Sequence, residues 1–331
     1  MTMRVLAPGR VNLIGDHTDY TGGLVFPMAI DRYTEVRGTP GGTRVQLSSL
    51  DEPEPVDLPL RVEHPQDVSP AWGRYVAGVV AEVNPERGFD GRVSTDIPIG
   101  AGLSSSAALE VAVALALGYD GTPLELARLC QRAENRASGV PSGIMDQLAI
   151  AAGIADHALL IDCGELSVTP VPMPRRVEVV VQFIEHRTLV GSPYADRVAE
   201  CAAAEAAIGP LRLATPEQTT AIADPVVRAR ALHVITENQR VRDFAAALAA
   251  GNMDDAGELM VQSHRSLRDL YDTSTPVMDA AVEQLLALPG VFGARMTGGG
   301  FGGCVVALTE PAALRAGWVV RAVGGAAVVA R

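Results

Sequence analysis

The sequence predicts an α+β protein of two domains, on three observations. Strand-like and helical runs are mixed along the first half of the chain instead of alternating strictly. From Ala195 to about Gln284 the pattern is largely helical and alanine-rich. The stretch Val291–Leu308 then reads as strand, glycine turn, strand. At 331 residues there is length for two separate cores.

Each element has its own signal. Val5–Leu6 and Leu24–Ile30 are short apolar runs that flank a polar loop, and Val36–Leu50 alternates as a strand does, punctuated by Gly, Pro and Thr. Asp51–Ser69 is proline- and acid-rich and reads as an exposed connection or an edge hairpin. Ala71–Val83 has helical spacing, with Tyr75, Val79 and Val80 on one side. Arg92–Ile97 reads as a strand, and Ser104–Leu117 and Leu124–Ala137 as helices, the first strongly apolar. Asp146–Gly153 is a further helix, and His157–Asp162 and Val177–Phe183 are strands. The proline-rich stretch Thr169–Arg175 marks the expected boundary, giving domains of 1–170 and 171–331. Gly209-Pro210, Asp224-Pro225 and Gly251-Asn252 break the helical region that follows. There is no internal repeat.

Composition narrows the function. A hydrophobic fraction of 48% and a net charge of −12 fit a soluble protein and argue against nucleic acid as a partner. No apolar run reaches the ~18 residues of a membrane span. The longest candidate, Ala107–Tyr119, is interrupted by Glu110. The first residues lack the apolar core of a signal peptide, so the expected location is the cytoplasm. Cys130, Cys163, Cys201 and Cys304 have no metal-type spacing and read as buried thiols. All 27 basic residues are arginine. The absence of lysine excludes a Walker A lysine, a Schiff base and a lysine general base.

Four segments concentrate polar chemistry. Gly9–Tyr20 packs Arg10, Asp16, His17 and Asp19 beside two glycines. Such a loop suits a small hydroxyl-rich ligand, or it is a plain surface loop. Pro98–Ala108 (PIGAGLSSSAA) follows a strand and opens a helix. Its glycines and serines suit a phosphate cradle, although a serine-capped helix after a turn would look the same. Arg295–Cys304 holds five glycines in six residues, a functional loop or a tight hairpin turn. Glu134–Asp146 places two carboxylates around a Gly/Pro/Ser turn. That suits a metal ligand and a base for phosphoryl transfer, or a helix-end acid and an N-cap.

Together the four resemble the galactokinase family, within the superfamily that also holds homoserine, mevalonate and phosphomevalonate kinases (GHMP kinases). Gly9–Ala29 is similar to that family's sugar signature, Pro98–Ala108 to its phosphate loop, and Arg295–Cys304 to its third, glycine-rich motif. Ala71–Gly78, Gly139–Gln147 and Ser263–Asp269 are also galactokinase-like, so the resemblance spans about residues 4 to 308 in the right order. It implies an N-terminal βα domain with a left-handed βαβ crossover, a ferredoxin-like C-terminal domain, and an active site in the cleft between them.

The resemblance further implies ATP-dependent phosphorylation of galactose at the anomeric hydroxyl, the entry step of galactose metabolism, with Mg²⁺. Asp146 would be the base and Arg10 its charged partner. Asp16, His17, Asp19, Gly143, Asp146 and Tyr194 would bind the sugar. Trp72, Gly100, Ala101, Gly102, Leu103, Ser104, Ser105 and Ser106 would bind ATP, and Ser106 and Glu134 would hold the metal. Trp72 and Tyr194 also read as ordinary core aromatics. A monomer with sugar and ATP as its partners is expected.

One departure stands out: the family usually has glutamate where this chain has Asp16. The side chain is shorter by a carbon–carbon bond, roughly 1.5 Å. Either the loop moves inward, or a water bridges, or the sugar is N-acetylgalactosamine, arabinose or galacturonate. A non-catalytic sugar sensor is a further reading, opposed by the complete Ser104–Ala108 segment and by Glu134 and Asp146. An isoprenoid kinase or decarboxylase would need a basic pocket or, for mevalonate kinase, the usual lysine.

Overall fold

The computed structural model describes residues 2–186 and 193–329. In chain order its elements are β1 (Met3–Asn12), β2 (Leu24–Val25), β3 (Pro27–Pro40), β4 (Arg44–Ser49), β5 (Val56–Pro59), α1 (Gly73–Val83), β6 (Phe89–Thr95), α2 (Ser105–Ala116), α3 (Pro123–Ser138) and α4 (Met145–Ala152). Then come β7 (His157–Asp162), β8 (Ser167–Pro172), β9 (Glu178–Glu185), α5 (Tyr194–Ile208), α6 (Pro225–Ala250), α7 (Met253–Ser266) and α8 (Pro276–Leu286). The remaining strands are β10 (Val291–Thr297), β11 (Gly303–Thr309), β12 (Trp318–Val320) and β13 (Ala327–Val328).

The strands form three sheets. The first has the order β13-β1-β3-β6-β4-β5, with β4 and β6 its parallel pair. The second is β2-β7-β8, and the third is the antiparallel β10-β11-β9-β12. The mixed order is that of an α+β protein. No described helix is long and apolar enough to cross a membrane.

Local sequence explains the parts that set the site. Helix α2 is apolar all round because it is buried all round: Ala107, Val111 and Ala114 are inaccessible, and the helix packs on β1 and β3. Helix α3 starts on a capping box, in which Thr122 and Glu125 bond reciprocally with Pro123 at the first helical position. Asp224 caps α6 through the N–H groups of Val226 and Val227. Helix α7 widens into a π-helical turn, Leu267–Tyr271, that ends on Asp272 at φ +56°.

Three strand expectations are corrected. The first strand runs from Met3 to Asn12 rather than over two residues, carrying Gly9 and Arg10 in the sheet. Part of the proline-rich stretch is β8: Pro170 and Pro172 lie on an edge strand, where a missing N–H leaves no inner neighbour unbonded. The short strands β12 and β13 carry no strong pattern, and β13 returns to pair with β1.

Candidate active site

A cavity of about 600 Å³ lies where the sugar-type loop, the serine-rich loop and the glycine-rich turn meet. At its floor is Arg10. Gly9 before it has no room for a side chain, since a Cβ would come within 2.9 Å of the Leu103 carbonyl. The Arg10 N–H bonds that same carbonyl at 3.2 Å, so β1 and the serine-rich loop touch through backbone. The guanidinium is 2% exposed. It donates from Nε and Nη2 to the two oxygens of Asp146, each at 2.7 Å, and from Nη1 to the Gly102 carbonyl at 2.6 Å. This bidentate, charge-assisted pair fixes the plane of the carboxylate. Asp146 sits in the first turn of α4 and keeps 29% of its side chain accessible, so it still meets the cavity.

The serine-rich loop is shaped by left-handed residues: Gly100 at φ +74°, Gly102 at +82° and Ser104 at +62°. Ser104 stands at the N-cap position of α2 but makes no capping bond; its hydroxyl donates to Asp146 instead. The first N–H groups of α2 are thus left without a side-chain cap, which suits an anion. Gly100, Gly102, Ser104, Ser105 and Ser106 line the cavity. Ala101 and Leu103 do not: their side chains are buried in the core beneath the loop.

Glu134, on α3, closes the far side of this loop. It accepts from Ser106 at 2.9 Å, Gln147 at 2.7 Å and Ser142 at 3.2 Å, all neutral donors. Burial first, and the Asp146 charge second, push its carboxyl up from the ordinary range. A hydroxyl and a carboxylate whose hydrogen-bond donors are all neutral are a hard-oxygen pair that a small divalent cation would suit. Gln147 also donates to Glu110 at 3.2 Å; Glu110 is inaccessible, and burial first, then the Glu134 charge, push its carboxyl well above the ordinary range.

The remaining predicted residues converge as well. His17, Asp19, Gly143 and Tyr194 line the same cavity, as does Trp72, whose indole N–H donates to the Glu54 carbonyl at 3.0 Å. A methyl group on Gly143 would overlap the Asp19 carboxylate, so the glycine is what lets the two loops meet. Burial, then the charge of Asp146, lifts Asp19 to about 7. Ser192, two residues before Tyr194, lies outside the described residues.

Asp16 borders the cavity with both oxygens engaged on the other side. Gly298 N–H donates to Oδ1 at 2.8 Å, and the inaccessible Arg295 guanidinium lies 2.6 Å from Oδ2. Arg295, Gly298 and Gly299 were not among the candidate site residues; the last two line the cavity. The run of glycines was their signal. Ser263, from the SHRSLRD stretch, donates to Glu237, whose other partners are the Gly15 N–H at 3.0 Å and Arg240 at 2.7 Å. Burial pushes Glu237 up, but Arg240, His233 and Arg295 together pull it down to about 2.

Known proteins match this arrangement along most of the chain. The galactokinase galactose-binding signature matches residues 3–40, the GHMP kinase N-terminal domain 74–153 and the GHMP kinase C-terminal domain 244–318. Galactokinase of Chloroflexus aggregans is 44% identical over 95% of this chain and 87% of its own length. The chain belongs to the galactokinase family. Human galactokinase is 42% identical over 94% of this chain and 84% of its own. The crystal structure of Lactococcus lactis galactokinase complexed with galactose superposes with a TM-score of 0.93 at 32% identity, covering 99% of this chain and 95% of that one. Methanococcus jannaschii mevalonate kinase shares the fold, with a TM-score of 0.70 at 22% identity over 94% and 91% of the two chains. The family's galactose-binding signature spans Arg10, Asp16, His17 and Asp19, and its N-terminal domain spans the serine-rich loop, Glu134 and Asp146.

Proposed function

We propose that the protein transfers the γ-phosphoryl group of ATP to the anomeric hydroxyl of galactose, giving galactose 1-phosphate and ADP. The Arg10–Asp146 pair carries this assignment: it joins the galactose-type loop to the serine-rich loop at one point of the cavity. The sugar is held by His17, Asp19, Gly143 and Tyr194, with Asp16 in the same wall and anchored by Arg295. The nucleotide lies along Gly100–Ser106, beside Trp72. Residues 1–170 supply most of this site, and residues 171–331 close it.

Asp146 accepts the proton of the attacking hydroxyl as the oxygen–phosphorus bond forms and the bond to ADP breaks. Arg10 keeps the carboxylate in place and stabilises charge developing beside it. Ser104 donates to the same carboxylate and so limits its rotation. Ser106 and Glu134 would hold Mg²⁺, which when bound neutralises phosphate charge. Holding both reactants in line contributes much of the acceleration in such transfers.

Coupled ADP release measured with galactose, N-acetylgalactosamine, arabinose and galacturonate tests the assignment. Galactose is expected to give the highest kcat/KM. A maximum on another sugar, or no turnover with any aldose, overturns it.

A pH profile follows from Asp19. Its carboxyl is raised from the ordinary 3.8 to about 7, so in the free enzyme it is neutral below that value and charged above it. The charged form accepts hydrogen bonds from sugar hydroxyls, so kcat/KM for the sugar is expected to rise with pH through about 7. Asp19→Asn should remove that rise. A wild-type profile flat from about pH 6 to about pH 8 would count against it.

A further inference from the structure

His17 sits at φ +64°, a left-handed conformation that a non-glycine residue adopts only where its surroundings hold it. Its imidazole stands at one end of a chain of side chains. His17 Nδ1 is 2.9 Å from the Tyr20 hydroxyl, which is 2.6 Å from the Tyr271 hydroxyl, which is 2.9 Å from Cys201 Sγ. The Tyr271 ring also packs against His17 and against His233, with centroids 4.8 and 4.5 Å away. Tyr271 is brought there by the π-helical turn after α7, and Cys201 by α5. Tyr271 and Cys201 are buried, and neither has a part in the phosphoryl transfer described above.

Each phenol has a single proton to give, so the protons of the chain run one way throughout. If they run toward Cys201, the chain ends on a thiol sulfur, a weak acceptor. If they run toward His17, it ends on an imidazole nitrogen, a strong one. Burial keeps the thiol protonated, with its pKa pushed up to about 12, so Cys201 has a proton to donate.

We propose that Cys201, Tyr271 and Tyr20 form a hydrogen-bonded relay that holds the His17 imidazole in one orientation and one tautomer, with the ring proton on Nε2. Tyr20 and Tyr271 are then positioning residues for the sugar, acting through His17. That consequence rests on His17 being a sugar ligand, as assigned above.

Nitrogen-15 NMR of histidine-labelled protein, together with steady-state kinetics, tests the relay. The protein has six histidines, and the signal lost in His17→Ala identifies the one required. Wild-type His17 should show the Nε2–H tautomer alone, and Tyr20→Phe and Tyr271→Phe should show a mixture. Tyr20→Phe should raise the sugar KM roughly tenfold and Tyr271→Phe about threefold, with the KM for ATP changed less than about twofold in both. A protein merely loosened by either change would not shift one KM and the tautomer together. A wild-type proton on Nδ1 overturns the relay. So does an unchanged sugar KM in both tyrosine variants while His17→Ala raises it. If His17→Ala leaves the sugar KM unchanged, His17 is not a sugar ligand and the kinetic consequence falls; the NMR spectrum alone then decides the relay.

Discussion

Asp146→Asn is expected to lower kcat by roughly 10²–10⁴, the range that a positioned proton acceptor contributes. The amide is nearly the same size, so the sugar and the nucleotide keep their walls and both KM values should move far less than kcat. The change also takes one partner from a buried cation. Arg10 would be left with the Gly102 carbonyl and a neutral amide, so a loss of stability is expected as well. Rapid-quench measurement of a single turnover separates the chemical step from a loss of folded protein. A kcat within about tenfold of wild type would show that Asp146 mainly positions the hydroxyl.

Arg295→Met is expected to have the largest effect on stability, about 3–5 kcal/mol, the cost of leaving one charge of a buried pair behind. Arg295 is inaccessible and Asp16 is 1% exposed, so water cannot replace the lost partner. The pH dependence gives the sign. Burial already raises the Asp16 carboxyl and Arg295 opposes that rise, so removing Arg295 raises it further. A carboxyl with a raised folded pKa favours the fold when protonated and disfavours it as pH rises. The deficit of the variant should therefore shrink in acid and grow toward neutral pH. Asp16→Asn combined with Arg295→Met should recover part of the loss, because no buried charge remains unpaired there. Denaturant unfolding checks all three proteins. A deficit below about 1 kcal/mol, as for an exposed pair, would mean that the site relaxes to admit water.

Helices and loops with local signals were legible in the sequence. The apolar run of α2, the helix read over Leu124–Ala137 and the breaks at 209–210, 224–225 and 251–252 all fall where the residues place them. The residues of the candidate site meet because Gly9 and Gly143 allow close approach and Gly100 and Gly102 take left-handed backbone angles, and glycines are easily read. Partnerships across the chain were not. Asp16 looks like a free carboxylate in its loop, yet its partners, Arg295 and Gly298, come from the far end of the sequence. Nothing periodic in either segment encodes that meeting. The strands β8, β12 and β13 were missed for a related reason: a short edge strand is stabilised by its neighbour more than by its own residues.

The same Asp16 contact bears on how substrates come and go. The sugar loop is tied to the second half of the chain by the Gly298 N–H on Asp16, the Thr297 hydroxyl on the Asn12 carbonyl, the Gly15 N–H on Glu237 and the Leu24 N–H on Asn238. All four bonds are buried. Parting the two halves along this seam would expose every one of them at once, along with the Asp16–Arg295 pair. The opposite rim of the cavity, by contrast, is formed by exposed residues such as Asp51 and Ile99. The seam is thus the side along which opening costs the most buried hydrogen bonds at once.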